Sequence, residues 1–128
     1  MLINIKFESN VPIYKQLKNQ IIEGIATGQL KPGESLPSVR KMAEDIGINL
    51  HTVNKAYKIL KNEGLLSTHR RKKVVVNSKE KMLDPDFKKK IKSKIRPIIT
   101  KSYCKGINEE EFKNIVSRIY MEIDKEDK

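Results

Sequence analysis

Four cations in a row, Arg70-Arg71-Lys72-Lys73, and a set of polar side chains at helical spacing, His51, Asn54, Lys55 and Lys58, are the groups in this sequence best suited to chemistry at a polyanion. Adjacent guanidinium and ammonium groups bind phosphate oxygens through charge-assisted hydrogen bonds, Arg often with two at once. Asn can pair bidentately with the edge of adenine, and His can donate or accept at a base edge. Ser38 and Arg40 form a third group. A helix starting at Ser38 would offer unpaired N–H groups to a phosphate, and Arg40 could add a fork. Each group also has a plainer use. Lys61 and Asn54 can belong to an ordinary solvated helix face, Arg40 can pair with Glu44 one turn on, and four adjacent charges can serve solubility alone.

The elements that must carry these groups follow from periodicity and turn residues. Ile3, Ile5 and Phe7 alternate with polar residues, as in a short strand or extended arm. Pro12 suits a first helical turn, and Tyr14, Leu17, Ile21 and Ile25 then give a helix one apolar stripe ending near Thr27-Gly28. Lys31-Pro32-Gly33 reads as a turn. A second helix from Pro37-Ser38 turns Val39, Met42, Ala43 and Ile46 inward and stops at Gly47. Asn49 caps a third, which buries Val53, Ala56, Tyr57 and Leu60 until Asn62-Glu63-Gly64. Two short helices joined this tightly are a helix-turn-helix, and the second can lie in a major groove. Its uncommitted residues are Leu50, His51, Asn54, Lys55, Lys58 and Lys61. The β-branched run Val74-Val75-Val76 beyond the basic block suggests a two-stranded hairpin, a wing with Arg70–Lys73 at its tip. Residues 77–81 read as a polar linker.

The last third reads as two helices. Phe87, Ile91, Ile95, Ile98 and Ile99 mark one, with Pro97 expected to kink it and Lys105-Gly106 to end it. Asn108 and Glu111 resemble a capping box for the other, whose stripe is Phe112, Ile115, Val116, Ile119 and Ile123. The expected fold is mainly α with a small β-hairpin: a winged helix-turn-helix domain over residues 1–77, then a linker and two-helix dimerisation segment over 78–128.

Charge supports the same division. The 128 residues hold 27 Lys+Arg against 16 Asp+Glu, a formal net charge of +11. Residues 69–96 alone carry 12 basic and 3 acidic groups, whereas residues 107–128 carry 4 and 7. A field of that sign attracts nucleic acid or an anionic membrane surface. No uninterrupted apolar run exceeds three residues, so no membrane span is expected. The start, MLINIKFESN, is not built as a secretory signal, and Cys104 stands alone, which fits a reducing cytosol. Two histidines, with no Gly-rich phosphate loop, metal-ligand cluster or catalytic carboxylate pair, leave enzyme activity, a cofactor and a metal all unexpected.

Several of these pieces occur together in one family. PIYKQL (12–17), the Gly28-to-Gly33 turn running into LPSVR (36–40), NLHTVNKAY (49–57) and NEGLL (62–66) resemble the N-terminal winged-helix domain of GntR-type bacterial regulators. They cover about half the chain. The KAY ending and short C-terminal part are similar to the small YtrA-like branch, in which two helices rather than an effector domain follow and mediate dimerisation. The resemblance implies that Ser38 and Arg40 approach DNA backbone and bases, and that Asn49, His51, Thr52, Asn54 and Lys55 occupy recognition-helix positions. At the wing the sequence departs from the family's Gly-x-Gly turn: His69 to Val74 contains no glycine. A wing gripping phosphates electrostatically is expected in its place.

Two helices of this length cannot bury both stripes against each other alone. Phe87, Ile91, Ile95, Ile99, Phe112, Ile115, Ile119 and Ile123 are therefore expected at a homodimer contact, with packing onto the first domain as the alternative. A two-fold dimer would read an inverted-repeat operator with half-sites roughly 34 Å apart. The expected function is a cytoplasmic, sequence-specific transcriptional repressor binding double-stranded DNA; the resemblance implies a transporter operon as target. The rivals are a dimeric protein-interaction module and a nonspecific nucleic-acid-binding protein. No small-molecule effector can be named.

Overall fold

The computed structural model describes residues 2–126, except the side chains of Lys72 and Glu126. These residues form two compact units, 2–82 and 83–126.

The first unit contains α1 (Ile13–Ala26), β1 (Ser35–Leu36), α2 (Val39–Ile46), α3 (Leu50–Asn62), β2 (Leu66–Thr68), β3 (Val74–Val76) and a short α4 (Lys79–Met82). Pro12 stands at the cap of α1, one place before the first turn. Leu17 and Ile21 are fully buried, with Tyr14 and Ile25 packed beside them. The helix stops where Thr27 returns both its N–H and its hydroxyl to the Glu23 carbonyl, at 2.9 and 2.8 Å. Ser38 caps α2, and Gly47 ends it at φ +77°, a left-handed conformation that costs a residue with a Cβ about 1 kcal/mol or more. Asn49 then caps α3. Val53, Ala56, Tyr57 and Leu60 of α3 are fully buried against Leu17 and Ile21 of α1, Met42 of α2 and the sheet residues Leu36, Leu66, Val74 and Val76.

Two features differ from the sequence reading, and a third settles a choice it left open. The hairpin β2–β3 has a third strand, since β1 pairs antiparallel with β3 (Leu36 opposite Val74), giving the order β1-β3-β2. The segment 77–81 is not a linker. Asn77 is buried; its amide donates to the Gly64 carbonyl at 2.7 Å and its side-chain oxygen accepts from the Ser67 hydroxyl. The chain then forms α4, and Met82 packs on the core, so the first unit extends past residue 77. Of the two forms the alternation allowed, the residues around Ile3 and Ile5 take the extended arm. Gln20 and Gln16 of α1 act as the missing partner strand: Asn4 and Lys6 each donate their N–H to a glutamine oxygen and accept from the same amide, at 2.7–3.0 Å.

The second unit holds α5 (Phe87–Cys104) and α6 (Glu109–Glu126). Helix α5 runs through Pro97 without a break. Gly106 follows it at φ +86°. The capping box forms reciprocally: Asn108 N–H donates to Glu111 at 3.1 Å, and Glu111 N–H to the Asn108 side chain at 2.9 Å.

Candidate DNA interface

The helix-turn-helix presents its polar residues as the periodicity requires. Advancing about 100° per residue, the buried residues of α3 occupy one side, and His51, Asn54, Lys55 and Lys58 lie exposed on the other. Thr52 is half-buried at the margin. Asn49 is exposed; its side-chain oxygen accepts the His51 N–H at 2.8 Å, which leaves both amide N–H groups and one lone pair of that oxygen for a ligand. Within the exposed face Asn54 and Lys55 occupy opposite flanks, about 100° apart, with His51 and Lys58 between them.

Ser38 and Arg40 open α2. The Ser38 hydroxyl oxygen accepts the Lys41 N–H at 3.1 Å and keeps its own proton to donate. Arg40 is exposed and makes no ion pair among the described residues; its alternative partner Glu44 is not engaged. The i,i+4 pair forms one place along, Lys41 to Asp45 at 3.0 Å, and that carboxylate raises the Lys41 pKa. A buried hydroxyl ties this helix start to the recognition helix: Tyr57 of α3 donates to the Pro37 carbonyl at 2.8 Å. Burial pushes the Tyr57 pKa well above the usual phenol range, so the donor keeps its proton. Sequence periodicity marked Tyr57 as core without revealing this role.

The wing's tip is a tight loop. His69 N–H donates to the Lys73 carbonyl at 2.7 Å, closing a turn over Arg70–Lys72. Within it Arg71 takes φ +66°, ψ 25°, the left-handed conformation usually left to glycine. The glycine-free wing thus still contains a left-handed residue at its tip. Arg70, Arg71 and Lys73 are exposed, while the Lys72 side chain lies outside the described residues. The structure thus places Ser38, Arg40, the recognition-helix set and the wing cations in the first unit. The dimerisation set lies wholly in the second: Phe87, Ile91, Ile99, Ile115 and Ile119 are exposed, and Ile95, Phe112 and Ile123 half-buried. No group of three or more His, Cys, Asp or Glu able to hold a metal occurs among the described residues. No helix is long and apolar enough to cross a membrane among those residues.

Comparison with known proteins agrees with this geometry. Residues 13–76, from α1 to the last wing strand, match the family described as bacterial regulatory proteins, gntR family. The chain is 32% identical over 123 residues to the HTH-type transcriptional repressor YtrA of Bacillus subtilis (strain 168), covering 95% of each chain. A structure described as a transcriptional antiterminator from Listeria monocytogenes EGD-e superposes with a TM-score of 0.87 at 28% identity, over 96% of this chain and 92% of that one. The AraR DNA-binding domain in complex with operator ORX1 matches with a TM-score of 0.53 at 25% identity, over 58% of this chain and 95% of that one. With half the chain matched by the family and a relative similar along nearly all of it, the protein belongs to the gntR family of bacterial regulatory proteins.

Proposed function

We propose that this protein is a cytoplasmic, sequence-specific transcriptional repressor that binds an inverted-repeat operator as a homodimer. The observation that carries the reading is the exposed face of α3, where His51, Asn54, Lys55 and Lys58 stand together on a helix locked by its buried opposite side. Arg40 and the wing cations supply the phosphate contacts that set register, while His51 and Asn54 are placed to read base edges. An operator complex of the AraR domain and the repressor YtrA among its relatives support the same assignment.

The homodimer is supported by the second unit. Its two helices leave Phe87 52%, Ile91 43%, Ile115 49% and Ile119 49% exposed, an apolar surface that a soluble chain covers with a partner. Charge favours a second copy: α5 carries seven basic residues and no acidic one, and α6 carries six acidic against three basic. Helix α5 of one copy therefore suits α6 of another. The two-fold arrangement would place two recognition helices on half-sites of a palindrome. The resemblance to the YtrA-like branch supports a transporter operon as the regulated target.

Selection of genomic fragments with the purified protein at about 150 mM salt, where exposed charges are screened beyond roughly 8 Å, tests the reading. Enrichment of one inverted repeat supports the repressor and names its operon. Retention with no enriched sequence, lost as salt rises, would overturn it in favour of nonspecific binding.

A further inference from the structure

Tyr14 belongs to the apolar stripe of α1, yet it is only half-buried, and Lys55 of the recognition helix rests its ammonium 4.0 Å from the centre of the Tyr14 ring. At that distance the negative face of the phenol ring attracts the cation. A long lysine side chain otherwise sweeps a wide arc and loses much rotamer freedom when a ligand fixes it. Lys55 sits on the flank of the exposed α3 face opposite Asn54, and its contact with Tyr14 fixes that flank as the one beside α1. The ring therefore draws the charge out of the centre of the reading face, away from Asn54.

From this contact we infer that Tyr14 is a positioning residue of the DNA interface: it holds Lys55 at the α1 edge as a phosphate anchor, leaving base reading to His51 and Asn54. The inference rests on the DNA-binding reading above and adds a division of labour to it. A lysine fixed at the margin of a recognition helix meets the backbone strand bordering the groove, where charge is uniform and sequence is invisible. Its contribution should be equal on every DNA sequence. The aromatic ring, not the hydroxyl, does the positioning.

The test measures binding of the full chain to two duplexes, the fragment enriched by genomic selection and a scrambled version, across about 50 to 200 mM salt. The variants are Tyr14→Leu, Tyr14→Phe, Lys55→Gln and the Tyr14→Leu/Lys55→Gln double change. Loss of one phosphate contact should lower the salt slope of Lys55→Gln by about 0.9. Tyr14→Leu should weaken binding by about two- to fivefold on both duplexes alike, the worth of an exposed cation–π contact. Tyr14→Phe should bind as the parent does, and Tyr14→Leu should add nothing once Lys55 is gone. A loss that persists in the Lys55→Gln background would make Tyr14 merely structural and overturn the inference. Tyr14→Phe as weak as Tyr14→Leu, or a change confined to the enriched fragment, would overturn it too. In all three of these cases the DNA-binding reading survives. A parent protein retaining neither duplex at the lowest salt would instead overturn that reading, and the inference with it.

Discussion

His51 and Asn54 stand in the middle and on one flank of a face whose other members are lysines, and the difference is chemical. A lysine can donate to a phosphate or to guanine but cannot accept, whereas the imidazole and the amide can both donate and accept at a base edge. His51→Ala or Asn54→Ala should therefore cut discrimination between the operator and a mismatched site by about 1–3 kcal/mol per contact, with weaker effect on nonspecific affinity. Competitive binding of the two sites measures this. Tyr57 acts from beneath that face. Tyr57→Phe removes the hydrogen bond to Pro37 and should cost about 1–2 kcal/mol in urea unfolding. It should also change the pH response. The folded phenol titrates above its ordinary value of 10.0 because it is buried. Its contribution is therefore fully present below pH 10 and falls as pH rises beyond that, when the unfolded chain alone releases the proton. Tyr57→Phe should lack this alkaline loss, as unfolding at pH 8 and pH 11 would show. The exposed faces were legible in the sequence because helical period separates polar from apolar positions. The two tyrosines were not, because period classes a tyrosine as apolar and says nothing about where its hydroxyl or ring face points.

At the scale of elements, boundaries written in capping residues were readable: Ser38, Gly47, Asn49 and the Asn108–Glu111 box all sit where the sequence put them. Gly47 shows what such a boundary costs to break. A Cβ there meets nothing within 4 Å, so Gly47→Ala should lose about 1 kcal/mol from left-handed backbone alone. Asn should lose less, and thermal unfolding of the two variants would separate them. Strand β1 escaped the reading because two residues carry no period, and its pairing with β3 is a tertiary event. Asn77 escaped for a related reason: a polar residue after a strand looks like a loop until the carbonyl of Gly64 and the hydroxyl of Ser67 are known to face it. The wing combines both lessons. Arg71→Gly should leave stability unchanged or slightly higher, because glycine accepts φ +66° without strain. It should lower the salt slope of DNA binding by about 0.9 if the guanidinium holds a phosphate. An unchanged slope, with stability intact, would remove Arg71 from the interface.

For the whole molecule the division into units matches the proposed separation of reading DNA from joining copies. Ile91→Glu and Ile119→Glu place a charge on the exposed apolar faces of α5 and α6. Sedimentation should then show a monomer whose first unit unfolds at an unchanged temperature. Its affinity for an inverted repeat should fall towards that for a single half-site, since the second half-site no longer binds at high effective concentration. Full dimer formation by both variants would place the contact elsewhere. The closing contacts of the first unit come late but not last in the chain. Asn77 fastens the sheet to the end of α3, and Met82 lays the final side chain on the core. Nothing after residue 82 contributes to that core among the described residues. During synthesis, which runs from the N-terminus and favours folding unit by unit, a finished recognition helix can emerge while the joining helices are still being translated. On the proposed homodimeric repressor, newly made chains would meet DNA first as single readers, and the delay before pairing would set a lag between expression and silencing.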